Sequence, residues 1–96
     1  MPYRSKAFIR FAKGLPGPCC VCRSEPGVEL HHFGDKGMGQ RASDLLVARV
    51  CRECHGRVQG KRLAHSFERS GMVGEHVALL ADNVALLAAY VEELER

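Results

Sequence analysis

The pattern of hydrophobic and polar residues predicts two strands, a loop between them and helices on either side. Residues 28–33 (VELHHF) and 45–50 (LLVARV) are short segments rich in aliphatic and β-branched residues, and we expect a strand in each. The intervening segment 34–43 contains three glycines and predicts a loop. A helix is expected to begin near Arg52, and a further short helix is expected over residues 63–69.

The N-terminal segment predicts a short amphipathic helix with a basic outer face. Between Arg4 and Lys13, three apolar residues (Phe8, Ile9 and Phe11) alternate with basic ones. Glycine 14 and the prolines that follow end the pattern.

Valine and leucine alternate at spacings of 3 and 4 through residues 75–95, the strongest helical pattern in the chain. The series consists of Val77, Leu80, Val84, Leu87, Val91 and Leu94. A β-branched residue at each a position and leucine at each d position favour a parallel two-stranded coiled coil. Since the series covers fewer than three heptads, two interpretations stay open: packing of this face on the protein's own core, or a homodimer contact.

Composition and charge narrow the class of protein. The length of 96 residues is that of one small domain. Because so small a hydrophobic core is marginally stable, a bound metal or a partner subunit would add to the stability of the fold. We expect neither a membrane span nor a signal peptide, because no long apolar run is present. Residues 1–62 hold 12 Lys/Arg against 5 Asp/Glu, whereas residues 63–96 hold 2 against 6. The basic body predicts binding to a polyanion such as nucleic acid.

Five cysteines include two Cys-x-x-Cys pairs, Cys19/Cys22 and Cys51/Cys54. Four thiolates suit one tetrahedral zinc ion, and such a closed site organises the fold without catalysing. The 28 residues between the two pairs would form a folded segment whose two ends are held together by the zinc ion. Because this segment contains the two adjacent histidines, the pattern favours metal binding over redox chemistry for the cysteine pairs. Cys20 is left over. Zinc binding in place of disulfides predicts a reducing, cytoplasmic location.

Three histidines are candidates for chemistry. His31 and His32 lie at the end of the first predicted strand, and His55 directly follows a zinc ligand. Closing the zinc site draws His55 towards that strand, so His31 and His55 can hold a second metal ion. Neutral imidazole binds divalent metals and also serves as a general base near neutral pH. His65 and His76 are expected at the surface.

These motifs together resemble the His-Asn-His (HNH), or ββα-metal, endonuclease family. The likeness rests on His31-His32, on Gly-Met-Gly at 37–39, on Ser43-Asp44 and on Cys51-x-x-Cys54-His55. It extends over residues 15–62, about half of the chain, and is to small zinc-containing members found in phages and prophages. The resemblance implies an α+β fold in which a small ββα-metal core is stapled by zinc and flanked by helices, including a long C-terminal one.

The resemblance also implies roles for individual residues. His32 would be the general base that deprotonates water, and His31 and His55 would hold one catalytic Mg²⁺ or Mn²⁺ ion. Asp44 takes the position of the family's middle asparagine, which orients the general base. Many members carry a further histidine ligand where this chain has Gln59, a poor ligand, so waters or a carboxylate would complete the coordination.

The leading hypothesis is therefore a metal-dependent DNA endonuclease of one domain, comprising a basic N-terminal helix (1–14), a zinc-stapled core (15–62) and a C-terminal helical region (63–96). Four basic residues are expected to contact phosphates: Arg41, Arg57, Lys61 and Arg62. Since no segment resembles a base-reading element, little sequence specificity is expected. Two alternatives are a nucleic-acid-binding zinc module without catalysis, and an interaction protein of a phage assembly that engages partners through its C-terminal helix.

Overall fold

The computed structural model describes residues 4–15, 17–24, 28–33, 44–61 and 63–96, and within them the protein is a small α+β fold. The elements, in chain order, are α1 (Lys6–Gly14), β1 (Val28–His32), β2 (Val47–Cys51), α2 (Arg52–Val58), α3 (Ala64–Arg69) and α4 (Val73–Leu94). The strands and helices thus follow the order that the hydrophobic pattern predicts.

The two strands form an antiparallel sheet in which Val28 lies opposite Cys51 and His32 lies opposite Val47. The second strand begins and ends slightly later than predicted, at Val47 and Cys51. This register brings the C-terminal end of β2, and the helix that follows it, beside the start of β1. The chain passes from β2 into α2 without an intervening loop.

Ser5 is the N-cap of helix α1, and its hydroxyl oxygen accepts a hydrogen bond from the backbone N–H of Phe8 (3.2 Å). Phe8 and Ala12 are buried against Val47 and Leu86, so α1 is fixed to both the sheet and α4. Its basic residues Lys6, Arg10 and Lys13 are exposed. The predicted basic amphipathic helix is confirmed.

Helix α4 packs on β2 through a face that is partly polar. Leu79 and Leu86 are fully buried, and between them Asn83 is 5% exposed. The Asn83 side-chain amide donates hydrogen bonds to the carbonyl oxygens of Leu45 (2.7 Å) and Val47 (3.0 Å). A buried amide with two such partners fixes the position of the helix along the strand.

Asp82, one residue before Asn83, makes the second polar link between α4 and β2. Its carboxylate accepts hydrogen bonds from the Arg49 backbone N–H (2.8 Å) and from Arg49 Nη2 (2.6 Å). Gly17 lies against this guanidinium, since a Cβ at that position would come within 2.6 Å of Arg49 Nη1. Removing one member of a buried, hydrogen-bonded ion pair costs about 3–5 kcal/mol because the other charge is left without a partner, so substitution of either residue alone would destabilise the fold.

The heptad series of α4 does not face the core. Val77, Val84 and Val91 are each more than half exposed, and Leu80 and Leu94 are also exposed. Leu87 alone in the series packs partly against the core. The helix thus buries one face in the domain and presents the valine–leucine series to solvent.

No helix in the described part of the chain is both long enough and apolar enough to cross a membrane.

Candidate functional site

Four cysteine thiols meet at one point of the molecule. The sulfur atoms of Cys19, Cys22, Cys51 and Cys54 all lie within 4.8 Å of one another. The sulfurs of Cys22 and Cys51 are 3.6 Å apart. Two thiolates on one tetrahedral zinc at 2.3 Å are separated by about 3.8 Å, so the cluster suits a structural zinc site.

Each Cys-x-x-Cys pair is a turn in which a backbone N–H donates to the first sulfur. The N–H of Cys22 donates to Cys19 Sγ and that of Cys54 to Cys51 Sγ, both over 3.5 Å. The first turn is completed by Arg23, which adopts a positive φ of 67°. In the second turn, Cys51 is the N-cap of α2. The local backbone therefore orients both pairs towards a common centre.

The surroundings of the four thiols favour the thiolate at the exposed positions. The hydroxyl and backbone N–H of Ser24 lower the pKa of Cys22 to about 6, and the Ser24 hydroxyl lies 3.0 Å from its sulfur. The backbone N–H of Cys54 lowers the pKa of Cys51. Burial instead raises the pKa of the Cys54 thiol. Because thiolates are the zinc-binding form, Cys22 and Cys51 are the more readily ionised ligands.

Cys20 lies outside the cluster, as predicted. Burial, followed by the nearby Asp82 carboxylate, raises the pKa of Cys20 to about 12. Its backbone N–H donates to the carbonyl oxygen of Arg49 (2.9 Å) and so joins the first cysteine turn to β2. Cys20 is accordingly a packing residue with an un-ionised thiol.

The fold brings His31 and His55 together, as the sequence predicts. Their ring centroids are 5.0 Å apart with the rings nearly perpendicular. Two imidazole nitrogens on one ion at about 2.1 Å lie roughly 3 Å apart, which two rings at this separation can provide. His31 is 4% exposed, and His55 is the more accessible of the two.

Glu29 completes this group. Its Oε1 lies 2.7 Å from His55 Nδ1. Since a carboxylate accepts hydrogen bonds, Nδ1 is the protonated nitrogen in this pair, and Nε2 carries the lone pair available to a metal ion. Metal-binding histidines commonly donate their second N–H to a carboxylate in this way.

His32 lies on the opposite face of β1 and is held by Asp44. The distance from His32 Nε2 to Asp44 Oδ1 is 2.9 Å. Asp44 is 3% exposed, and its second oxygen accepts a hydrogen bond from the backbone N–H of Ser5 (2.9 Å). Arg4 Nη1 also lies 3.7 Å from Asp44 Oδ1. With Nε2 protonated towards the carboxylate, Nδ1 of His32 has the free lone pair.

An open groove of about 650 Å³ follows β1 on the side of α1. His32 and His55 both line it, although the neighbouring His31 belongs to the other face of the strand. Lys13 of α1 supplies positive charge to the same groove, whereas the Arg49 guanidinium that also lines it is paired with Asp82. The arrangement joins two imidazoles and one lysine ammonium in one solvent-accessible channel.

The other predicted site residues occupy varied positions. Arg57 is paired with Glu75 on α4 at 2.9 Å, and so its guanidinium is already engaged. Lys61 is partly buried just after α2. Gln59 is the exposed C-cap of α2, and no contact of the described residues brings its side chain to His31 or His55. The glycine-rich segment with Ser43, together with Arg41 and Arg62, lies outside the described residues.

One of the two histidines expected at the surface is instead half-buried. The ring of His76 packs on Phe67 with centroids 4.5 Å apart. Its Nδ1 is buried and has no hydrogen-bond partner in the described part of the chain. His65 is exposed, as expected. The contact with Phe67 explains the difference, because the phenyl ring covers one side of the His76 ring.

Sequence reasoning missed three residues that position the histidines: Glu29, Ser5 and Arg4. Glu29 had a usable signal, since it precedes His31 by two residues and strand alternation places both on one face. Ser5 and Arg4 had none, because 39 residues separate Ser5 from Asp44. Contacts over such separations arise only from the packing of α1 on the sheet.

Comparison with protein-family models, with curated proteins and with solved structures finds no match to this chain.

Proposed function

We propose that this protein is a metal-dependent endonuclease that hydrolyses phosphodiester bonds in DNA. The carrying observation is the 5.0 Å approach of His31 to His55, while the next residue, His32, lines a groove together with His55 and has its ring held by Asp44. β1 supplies His31 and His32, the turn before β2 supplies Asp44, and α2 supplies His55, which is the order that the resemblance to HNH nucleases implies.

His31 and His55 are the proposed ligands of one Mg²⁺ or Mn²⁺ ion. Each residue offers a neutral imidazole nitrogen, a common metal ligand, and Glu29 leaves Nε2 of His55 free to bind. Since Mg²⁺ and Mn²⁺ prefer oxygen ligands, the remaining ligands would be oxygens. When bound, the ion would supply charge stabilisation to the phosphate and to the 3′-oxygen leaving group. Waters or a carboxylate would complete its coordination, because Gln59 is a poor ligand and makes no contact with the His31 or His55 side chain among the described residues.

His32 is the proposed general base. Its Nδ1 takes a proton from the attacking water, while Nε2–H stays donated to Asp44. The carboxylate holds the ring in one orientation and stabilises the imidazolium that forms. Asp44 itself is fixed by the Ser5 backbone N–H at the start of α1, so helix and base are positioned together.

The four-cysteine cluster is the proposed structural zinc site. A closed site of four thiolates leaves no position for substrate, and its role is to hold the start of α2 against the turn before β1. His55 is the residue after Cys54, so the cluster also sets the distance from His55 to His31.

DNA is the proposed substrate because the groove is bordered by the basic α1. Lys13 lines the groove together with His32 and His55, and Lys6 and Arg10 are exposed on the preceding turns of the same helix. Cations arranged along a groove bind phosphates without reading bases, so cleavage is expected to depend little on sequence.

The test is nicking of supercoiled plasmid by zinc-loaded protein with Mg²⁺ or Mn²⁺. We expect His32→Ala to lower the nicking rate by about 100-fold or more, the usual contribution of a general base. His65→Ala is the matched control, since His65 is an exposed histidine of α3 and keeps the wild-type rate. Zinc content and far-UV circular dichroism of the variants establish that the fold is retained.

Equal nicking by wild type and His32→Ala would remove His32 as the base. Absence of nicking by the wild type, together with salt-sensitive DNA binding, would favour the zinc-containing binding module without catalysis.

A further inference from the structure

Helix α4 carries a continuous apolar stripe that points away from the domain. The α4 stripe consists of Val73, Val77, Leu80, Val84, Leu87, Val91 and Leu94, and Val73 extends the heptad series by one step towards the N-terminus. Six of its members are between 41% and 66% exposed, and Leu87 is partly buried. Among the described residues, Leu63 is the one exposed large hydrophobic residue outside the stripe.

The stripe and the core contact lie on different sides of the helix. At 100° per residue, the stripe is centred roughly 120° around the helix from the face of Leu79 and Leu86 that packs on the domain. The exposed Ala81 and Ala88 border it and leave room for a second helix to approach. On the order of 500 Å² of apolar surface per chain is available, so two chains would bury about 1,000 Å², the lower limit for a specific interface.

We propose that a second copy of this chain covers the α4 stripe, with the two α4 helices antiparallel. In this arrangement Val77 lies opposite Leu94 of the partner subunit, Leu80 opposite Val91 of the partner subunit, and Val84 opposite Leu87 of the partner subunit. Each layer then pairs one valine with one leucine, which keeps the width of the interface constant along its length.

The charges at the two ends of α4 favour this orientation. The C-terminal end carries Glu92, Glu93 and Glu95, which lie unfavourably at the negative end of the helix dipole. The N-terminal end has no side-chain cap, and the exposed Arg69 precedes it on α3. An antiparallel partner places carboxylates next to the positive end of the dipole and Arg69. A parallel partner, which the valine–leucine order alone favours, would place both glutamate clusters together.

The first test is the mass of the zinc-loaded protein by sedimentation equilibrium over a range of concentrations. We expect the wild type to approach twice the chain mass of 10.6 kDa, and Val84→Glu to remain near 10.6 kDa. Val84 is 65% exposed, so the substitution leaves the domain folded. Ala85→Glu is the control, since it adds the same charge at the next, exposed position of α4 but points about 100° away from Val84, outside the stripe. A wild type that stays at the chain mass, or a Val84→Glu variant that still dimerises, would overturn the proposal.

The second test is the dimer Kd of the triple variant Glu92→Gln, Glu93→Gln, Glu95→Gln. In the antiparallel dimer these carboxylates attract the opposite end of the partner, and the Kd is expected to rise several-fold. In a parallel dimer they repel each other, so a fall in Kd would exclude the antiparallel orientation.

Discussion

At the scale of single residues, Asp44 and Cys20 illustrate how neighbours assign roles. Asp44 is nearly buried, and its oxygens bind the His32 ring and the Ser5 backbone N–H, so its carboxylate is committed to positioning. Cys20 is adjacent to Cys19 in the chain, yet its sulfur lies outside the four-thiol cluster. Burial raises its pKa to about 12 and keeps it un-ionised.

The cysteine assignment predicts opposite effects for two single substitutions. Cys54→Ser removes one of four ligands and is expected to reduce bound zinc from about one ion per chain to a small fraction and to destabilise the fold, because metal binding is coupled to folding. Cys20→Ser is expected to retain about one zinc. Metal analysis and thermal unfolding of both purified proteins measure this. Full zinc retention by Cys54→Ser would contradict the four-cysteine site.

At the scale of elements, the site depends on how α2 is held against β1. Cys51 and Cys54 anchor the first turn of α2, and Glu29 of β1 reaches His55 in the same turn at 2.7 Å. The strand thus contributes both a proposed metal ligand, His31, and the carboxylate that contacts the other proposed ligand, His55, on the helix.

Glu29→Gln tests this coupling, and its result depends on the proposed activity. An amide at position 29 can present its NH₂ group to Nδ1, which would leave Nε2 protonated and unable to bind metal. We expect the Mn²⁺ concentration for half-maximal nicking to rise by about 10–100-fold, with zinc content unchanged. Glu53→Gln is the control, since Glu53 is an exposed carboxylate in the first turn of α2. Equal Mn²⁺ dependence of the two variants would show that Glu29 does not orient His55.

At the scale of the whole molecule, charge is divided between two regions. The first 62 residues have a net charge of +7 and the last 34 a net charge of −4, from the 12 basic and 5 acidic residues of the first region and the 2 and 6 of the second. In the fold, the groove of His32 and His55 is bordered by the basic α1, whereas three of the six acidic residues of the second region lie at the C-terminal end of α4, just beyond Tyr90, which packs on α1. None of these three glutamates lines the groove, so the groove side of α1 is the surface that favours a polyanion.

This division predicts which substitutions change DNA binding. The triple variant Lys6→Gln, Arg10→Gln, Lys13→Gln neutralises the exposed face of α1. A plot of log K against the logarithm of the salt concentration has a negative slope, and each lost phosphate contact reduces its magnitude by about 0.9. We expect the slope to become shallower by up to about 3 and the affinity to fall at low salt. Arg96→Gln, at the exposed end of the chain, is expected to leave both unchanged. Fluorescence anisotropy with duplex DNA at several salt concentrations measures the slope, and identical slopes would place the DNA elsewhere.

Local patterns in the sequence were sufficient for much of the fold and for part of the site. The order of strands and helices follows from hydrophobic periodicity, because each element is stabilised by residues close to it in the chain. The four-thiol cluster and the pairing of His31 with His55 were also predictable, since two Cys-x-x-Cys pairs that share one centre leave few arrangements for the segment between them.

Only the tertiary structure decided the contacts that join distant segments and the face that each helix buries. Three contacts join residues that are 33 to 39 positions apart in the sequence: Ser5 with Asp44, Arg49 with Asp82, and Asn83 with the backbone carbonyls that it binds. No local pattern specifies these contacts. The heptad series of α4 pointed to an apolar contact but not to its location. In the fold, the polar Asp82 and Asn83 face inward because β2 offers them hydrogen-bond partners, and the valine–leucine stripe is consequently turned outward.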